Sequence, residues 1–242
     1  MKFRGSFKPS SDEVLYKNYG KDTDKGLIIE CGASDGVSEN VSYFFERELG
    51  WDSINIEPSP YLFSKLNKNR PHSLFNLNIA LSNTDGGRVF NDVGKGNSSL
   101  SHKEHQLKAQ KQHNISPNFI DVKCLTFKTL AREYSILRVD ILVLDVEGHE
   151  LEVLEGFKNS SVTPNVLCIE YPHICVGIPG GLKGLIPIVE GYGYNFNMFV
   201  NNDAYFSKSY KEEDKNWFGA MPFSEEWVWD ESRMVWSRRG LI

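Results

Sequence analysis

Several things are missing from this sequence, and each absence removes a class of function. No block of lysine or arginine occurs in the body of the chain, and the net charge is −5, which argues against nonspecific nucleic-acid binding. The short Ser237-Arg238-Arg239-Gly240 end reads as a solvated tail rather than a phosphate-binding patch. No apolar run approaches the ~20 residues that cross a bilayer, so no membrane role is expected. Met1 to Ser11 lacks the apolar centre of a signal peptide, and the expected location is cytoplasmic. There are only four cysteines, Cys31, Cys124, Cys168 and Cys175, with neither C-x-x-C nor a zinc spacing among them. Three lie within or near apolar runs and read as buried free thiols of a reducing compartment. The dinucleotide fingerprint G-x-G-x-x-G is absent from the first glycine loop, and no Walker A lysine loop occurs anywhere.

What is present is an alternation of apolar runs and amphipathic stretches. At 242 residues, 40% hydrophobic and 24% charged, the chain suits one large α/β domain with a sizeable core. The organising stretch is Leu27-Ile28-Ile29-Glu30-Cys31-Gly32-Ala33-Ser34-Asp35-Gly36. An unalternating apolar run of this kind suits a central parallel strand buried on both faces. It ends in an acid, breaks into a loop between two glycines, and gives way to a helical pattern from about Glu39 to Leu49. Strand, glycine loop and helix open a nucleotide-binding sheet, with ligands held at the carboxyl ends of the strands.

The same logic recurs down the chain. Ser53 to Pro58 is a second strand ending in Glu57, and Pro60 opens a helix with Leu62, Phe63 and Leu66 inward. Leu74 to Leu81 reads as a third strand, Asn83 to Gly87 as a hairpin turn, and Arg88 to Phe90 as the strand leaving it. Asp121 to Leu125 is a strand and Thr126 to Tyr134 a helix. Asp140 to Asp145 and Asn165 to Glu170 repeat the pattern of an apolar strand with an acid at its end. The helix His149 to Phe157 lies between them; His149, at its start, is expected to face outward. Gly184 to Gly191 reads as helical despite Pro187, and Tyr194–Val200 with Ala204–Ser207 as a closing hairpin. The order predicts a doubly wound, mostly parallel sheet with an antiparallel strand from that hairpin. Residues 1–24 form an N-terminal extension, a lid or packing segment with a short helix capped by Ser10 or Ser11. Residues 25–209 form the main domain. Residues 210–242 form a tail with Trp217, Trp227, Trp229 and Trp236, expected to pack on that domain.

Acids at four strand ends, Glu30, Glu57, Asp145 and Glu170, should surround a common cleft. Any one of them alone could be a helix cap or a solvated strand end. Glu30 and Asp35 would repel a pyrophosphate but suit a cationic or zwitterionic ligand. Glu57, ending the second strand, is placed to accept hydrogen bonds from both hydroxyls of a ribose. Together these features suit S-adenosylmethionine, with backbone amides of the glycine loop near its carboxylate.

These stretches resemble the FkbM-type S-adenosylmethionine-dependent methyltransferases. The resemblance rests on Ile29 to Gly36 with Ser38 and Asn40, on Asn55-Ile56-Glu57-Pro58, on Ala80-Leu81-Ser82 and on Asn97-Ser98-Ser99-Leu100. Its most specific block is Asp140 to Glu150, continued by Leu154-Glu155-Gly156-Phe157 and closed by Leu167 to Glu170. It covers about residues 25 to 206. It implies a class I methyltransferase fold, a Rossmann-like sheet of seven strands with the last antiparallel. It also implies methyl transfer to oxygen, often a hydroxyl of a sugar or natural product. The cofactor residues are then Glu30, Gly32, Ala33, Ser34, Asp35, Gly36, Asn40, Glu57, Pro58, Asn78, Ile79, Ala80, Ser98 and Asp145, with Asn97 to Ser99 as a gating loop.

An alcohol oxygen is a poor nucleophile until its proton is removed, so a base is needed near the acceptor. Asp145, Glu147, Glu170 and His173 are the candidates. Asp145 and Glu147 are two residues apart at a strand end and share a face. With Glu170 they could hold magnesium, but no metal is expected to be required. The expected acceptor is a small hydroxylated or glycosidic molecule. The alternatives are a non-catalytic nucleotide- or glycan-binding protein on the same fold, or methylation of nitrogen or carboxylate.

Overall fold

A computed structural model describes residues 1–5, 7–94, 98–100, 111, 114, 116–171, 178 and 181–209, with the backbone of 227–230 and 235–238. Leu27–Cys31 forms β1 at the centre of the fold. Its residues are buried from Ile28 onward, as its lack of polar alternation requires. Asn40 caps α2 (Val41–Leu49) through its side chain, and Gly50, at φ 67°, ends that helix in a left-handed turn. Asp52–Ile56 is β2 and Pro60–Asn69 is α3, whose first position holds proline and whose cap is Ser59. Leu62 and Leu66 face inward from α3, whereas Phe63 is only half-buried.

The expected third strand, Leu74 to Leu81, is two strands in two different sheets. Phe75–Leu77 is β3, paired with β2, and Ala80–Leu81 is β4, paired with β6 (Phe119–Leu125). Asn78, between them, donates its side-chain amide to the carbonyls of Glu57 and Pro58 and holds the crossing in place. Residues 83–87 are therefore not a hairpin turn: β5 (Gly86–Asn91) pairs with the far edge of β6 instead of with β4. The second sheet has the order β4-β6-β5.

The chain then returns to the main sheet. Thr126 caps α4 (Phe127–Glu133), β7 is Ile141–Leu144, α5 is Glu150–Glu155 and β8 is Val166–Glu170. Next come α6 (Leu182–Glu190), which starts two residues before the expected position, and the hairpin β9 (Asn195–Val200) and β10 (Asp203–Ser207). The main sheet has seven strands in the order β3-β2-β1-β7-β8-β10-β9. Because β10 is antiparallel to both β8 and β9, it alone runs against the other six.

Core side chains fill both faces of this sheet, as double winding requires. One face gathers Ile29, Ile54, Leu142, Leu144, Leu167 and Phe127; the other gathers Ile28, Phe44, Phe45, Val143 and Tyr205. The N-terminal segment belongs to the second cluster. In α1 (Ser11–Leu15), Val14 and Leu15 are fully buried against it. Ser10 stands at the cap position of α1, but its hydroxyl bonds Asp12 rather than a helix amide. At the C-terminal end, the backbone of β11 (Trp227–Asp230) and β12 (Val235–Arg238) pairs as an antiparallel ribbon. The tail's expected packing lies outside the described side chains. Among the described residues, no helix is long and apolar enough to cross a membrane.

Candidate active site

The carboxyl edge of β2-β1-β7-β8 opens into a cavity of about 330 Å³, and all four strand-end acids, Glu30, Glu57, Asp145 and Glu170, line it. It lies where the strand order reverses, between β1 and β7, the place where open α/β sheets bind ligands.

β1 and β7 come very close there. A Cβ on Gly32 would sit 1.9 Å from the Asp145 carbonyl oxygen, and Gly32 has φ 88°. Only glycine fits, and the cause is a neighbouring strand rather than a ligand. The amides of Gly32 and Ala33 both donate to the Ile56 carbonyl, and the Ser34 amide donates to Glu57. The expected use of these amides for a carboxylate is thus not what these three provide: those of Gly32 and Ala33 bind β2 and that of Ser34 binds the Glu57 carboxylate. Ala33, Ser34 and Pro58 nonetheless line the cavity.

Glu30 accepts from the amides of Val41 and Ser42, at 2.8 and 2.9 Å, and so satisfies the first turn of α2. The lone-acid reading, a helix cap, is the role its oxygens play. Burial still raises its affinity for a proton. Asp35 turns back on its own loop, accepting from the amides of Val37 and Ser38 and from the Ser38 hydroxyl. Gly36 faces α3, where a Cβ would meet Leu66 and Arg70 at 2.5 and 2.8 Å. Asp35, Gly36, Asn78 and Ile79 all lie outside the cavity lining. Their places are set by the loop turn, by α3, by the β3–β4 crossing and by the core.

Behind the loop, Arg70 is fully buried. Its guanidinium donates to the Gly36 carbonyl at 3.0 Å, to Asn40 Oδ1 at 2.7 Å and to Glu46 at 2.8 Å. Asn40 also donates to the Ala33 carbonyl, so the arginine reaches the cavity wall through it. Sequence reasoning did not single out Arg70; it ends a helix, a usual place for a solvated cation.

Glu57 is almost wholly buried, with one oxygen accepting from Ser34 N and the other from Ser59 N. Burial outweighs those bonds and raises its pKa to about 7. Each carboxylate oxygen keeps a further lone pair.

The loop after β7 is tightly built. Glu147 and Gly148 both have positive φ, 56° and 93°. For glutamate this is strained backbone, of the kind that gathers at functional sites. Glu150, fully buried, accepts from the amides of Val146 and Gly148 and holds the turn; its burial raises its pKa to about 8. The Ser99 hydroxyl donates to the Glu147 carbonyl at 3.0 Å, which ties the 98–100 segment to this loop. Ser98, Leu100, Ala80 and Phe90 form a wall facing the strand ends, contributed by the second sheet and its loop.

Asp145 and Glu170 end neighbouring strands and are joined by a side-chain hydrogen bond. Asp145 opens toward the cavity, yet enclosure by protein and the charge of Glu147 raise its pKa to about 7. Glu170 is raised well above the usual carboxylate range, by burial and then by Asp145, and the hydrogen bond between them raises Glu170 while lowering Asp145, so Glu170 holds the shared proton. Among the described residues, no three His, Cys, Asp or Glu side chains are arranged to hold a metal ion. His173 and Asn97 fall outside the described residues.

His149 corrects an expectation. It does not face outward; it is buried, lines the cavity, and its Nε2 lies 2.9 Å from the Ser82 hydroxyl. Ser82 and His149 are 67 residues apart, so no local pattern signals the pair.

The sequence model of the family described as Methyltransferase FkbM domain matches residues 30–196. A hexuronic acid methyltransferase, AglP, of Haloferax volcanii is 26% identical over 119 residues, 48% of this chain and 45% of that relative. The crystal structure of a methyltransferase FkbM from Methylobacillus flagellatus aligns with a TM-score of 0.50 at 13% identity. That alignment covers 76% of this chain and 44% of the other, and it is a likeness of fold. Each match spans less than half the length of the relative.

Proposed function

Because this chain belongs to the FkbM methyltransferase family, we propose that its cavity binds S-adenosylmethionine and serves methyl transfer to a hydroxyl of a sugar or small natural product. The observation that carries the reading is the convergence of Glu30, Glu57, Asp145 and Glu170 on one cavity at the reversal of strand order. The donor set fits the ligand: acids complement a cation, and the buried Glu57 can accept from two ribose hydroxyls. When bound, S-adenosylmethionine supplies a methyl group on a sulfonium, whose sulfur keeps the carbon–sulfur electron pair as the bond opens.

The residues of this chain do the rest. Asp145 takes the proton of the acceptor hydroxyl as its oxygen attacks the methyl carbon. Glu170, which keeps its proton, donates to Asp145 and holds that carboxylate in place. Glu147, on the same loop, orients the acceptor by accepting from a second hydroxyl. The second-sheet wall with Phe90 and Leu100 covers the apolar face of the acceptor and excludes water. The curated relative's action on a hexuronic acid supports a sugar as the class of acceptor.

Calorimetry with S-adenosylmethionine tests the first step. Binding is expected for the native protein, weakened by roughly tenfold to a hundredfold in Glu57→Ala, the loss of hydrogen bonds to a charged acceptor. Absence of binding, or an unchanged affinity in the variant, would overturn the reading. It would leave a non-catalytic protein on this fold.

A further inference from the structure

The N-terminal segment reaches one end of the row of strand-end acids. β7, β8 and β10 are neighbours, and their register sets Asp145, Glu170 and Asp203 side by side. Leu144 pairs with Ile169, one step before Asp145 and Glu170, and Asp203 pairs directly with Glu170. Side chains at paired positions share a face, so three carboxyl groups stand in line across three strands with Glu170 in the middle. Ser11, the first residue of α1, donates its hydroxyl to Asp203 Oδ2. Asn201, in the turn before β10, donates its side-chain amide to the Pro9 carbonyl at 2.9 Å and fixes the same approach. We propose that Ser11 and Asp203 are positioning residues for the methyl transfer, the N-terminal segment holding through them the carboxyl row in which Asp145 acts.

Docking of the segment and this contact are separable. Val14 and Leu15 are fully buried in one core cluster with Phe44 and Tyr205, which accounts for the seat of α1. That burial asks nothing of Ser11, yet its hydroxyl engages a carboxylate on another element. Among the described residues, the titratable and polar groups facing Asp203 are Ser11 from α1, Tyr205 from its own strand, Cys168 and Glu170 from β8, and Asp145 beyond them. Its partner on β9 is the apolar Val200. Enclosure by protein raises the Asp203 pKa to about 6; the Ser11 and Tyr205 bonds oppose that rise and the charge of Asp145 adds to it. Asp203 is therefore largely charged where Asp145, at about 7, exchanges its proton. Repulsion is mutual, so the Asp203 charge raises the proton affinity of Asp145 in turn. Glu170, which keeps its proton, adds no charge between them. Without the Ser11 bond Asp203 would take its proton at higher pH, part of that charge would be withdrawn, and Asp145 would become the weaker base. A base serves best with its pKa near the working pH. This inference rests on the methyltransferase reading for the use to which the base is put.

The test needs no acceptor. Carbon-13 NMR of the full chain, labelled at the aspartate carboxyl carbon, follows the titration of Asp145, whose signal is assigned with Asp145→Asn. Asp203→Asn is expected to move the Asp145 midpoint down by roughly half a pH unit, and Ser11→Ala by less in the same direction, with Ser11→Thr close to native. Val14→Ala, which loosens the same helix, is expected to lower the Tm and leave the midpoint in place. Midpoints that coincide in the native, Ser11→Ala and Asp203→Asn proteins overturn the inference. So does a shift to higher pH, or a shift in Val14→Ala equal to that in Ser11→Ala. If Asp203→Asn does not fold, Ser11→Ala against Ser11→Thr decides the matter. Calorimetry with S-adenosylmethionine on the same preparations separates the two readings. Donor binding with an unmoved midpoint overturns this inference alone, and no donor binding in the native protein overturns the methyltransferase reading and the catalytic use of the pair with it.

Discussion

Asp145 and Glu170, at the ends of adjacent parallel strands, share one hydrogen bond in which Glu170 is the donor. The pair has two acids but one tightly held proton, so Asp145 is the member able to act as a base near neutrality.

The activity of the protein should follow that ionisation. Methyl transfer is expected to rise with pH through about 7, the pKa of Asp145. Removing the Glu147 charge, in Glu147→Gln, should move the rising limb to lower pH, because that charge raises the Asp145 pKa. Removing the donor, in Glu170→Ala, should move it to higher pH, because that hydrogen bond lowers it. Single-turnover rates across pH 5 to 9 check both shifts; limbs that coincide in all three proteins would remove Asp145 from the chemistry.

Stability should move in the opposite sense. Asp203 titrates at about 6, Glu57 and Asp145 at about 7 and Glu150 at about 8, all raised chiefly by burial. The unfolded chain loses these protons near pH 4, so between there and 8 the folded state binds more protons. Their contribution is full below the unfolded values and is lost as pH rises through the folded ones. Asp35 and Glu46, held low against burial by their hydrogen bonds, remove stability at the acidic end as they are protonated. The melting temperature should therefore peak in mildly acidic buffer and fall toward pH 8, with a loss on the order of 3 kcal/mol. A Tm that climbs steadily to pH 8 would contradict this.

Much of this site is local in sequence and therefore legible there. An apolar run ending in an acid states both a buried parallel strand and what stands at its end, and Glu30, Glu57, Asp145 and Glu170 follow from that rule. What joins distant segments leaves no such mark. Ala80 and Leu81 continue the apolar pattern of Phe75 and Leu77, so nothing in the run shows that the chain has changed sheets. Gly36 reads as a loop glycine, but the contacts that demand it come from Leu66 and Arg70. His149 opens a helix, where exposure is the usual state, and its burial beside the Ser82 hydroxyl, just past β4, joins segments far apart in the chain.

Arg70 offers a direct measure of such long-range ties. Its guanidinium holds the glycine loop, Asn40 and Glu46 together without solvent. Arg70→Ala should destabilise the protein by about 3–5 kcal/mol in urea denaturation, the usual result of removing one partner of a buried ion pair. Arg70→Lys should recover part of this, since a lysine keeps the charge but not the fork that serves Gly36 and Asn40 together. A loss under about 1 kcal/mol in the alanine variant would show the network to be dispensable.

Two glycines with similar backbone separate conformation from crowding. Gly50→Ala meets no atom within 4 Å and has φ 67°, so it should cost only the left-handed penalty of about 1–2 kcal/mol. Gly32→Ala must in addition push β1 away from the Asp145 carbonyl and should abolish S-adenosylmethionine binding even in preparations that remain folded. Equal effects of the two substitutions, by thermal melting and calorimetry, would mean that the β1–β7 contact is not close in solution.

The passage from β3 to β4 takes only Asn78 and Ile79, and the Asn78 amide fastens it to the carbonyls behind Glu57. The two sheets are thus built from separate lengths of chain, the strands of the second all lying between Ala80 and Leu125, while Leu81 and Leu125 still pack into the core of the first. Sequence change within that stretch can reshape the Phe90 and Leu100 wall while leaving the strand-end acids where they are.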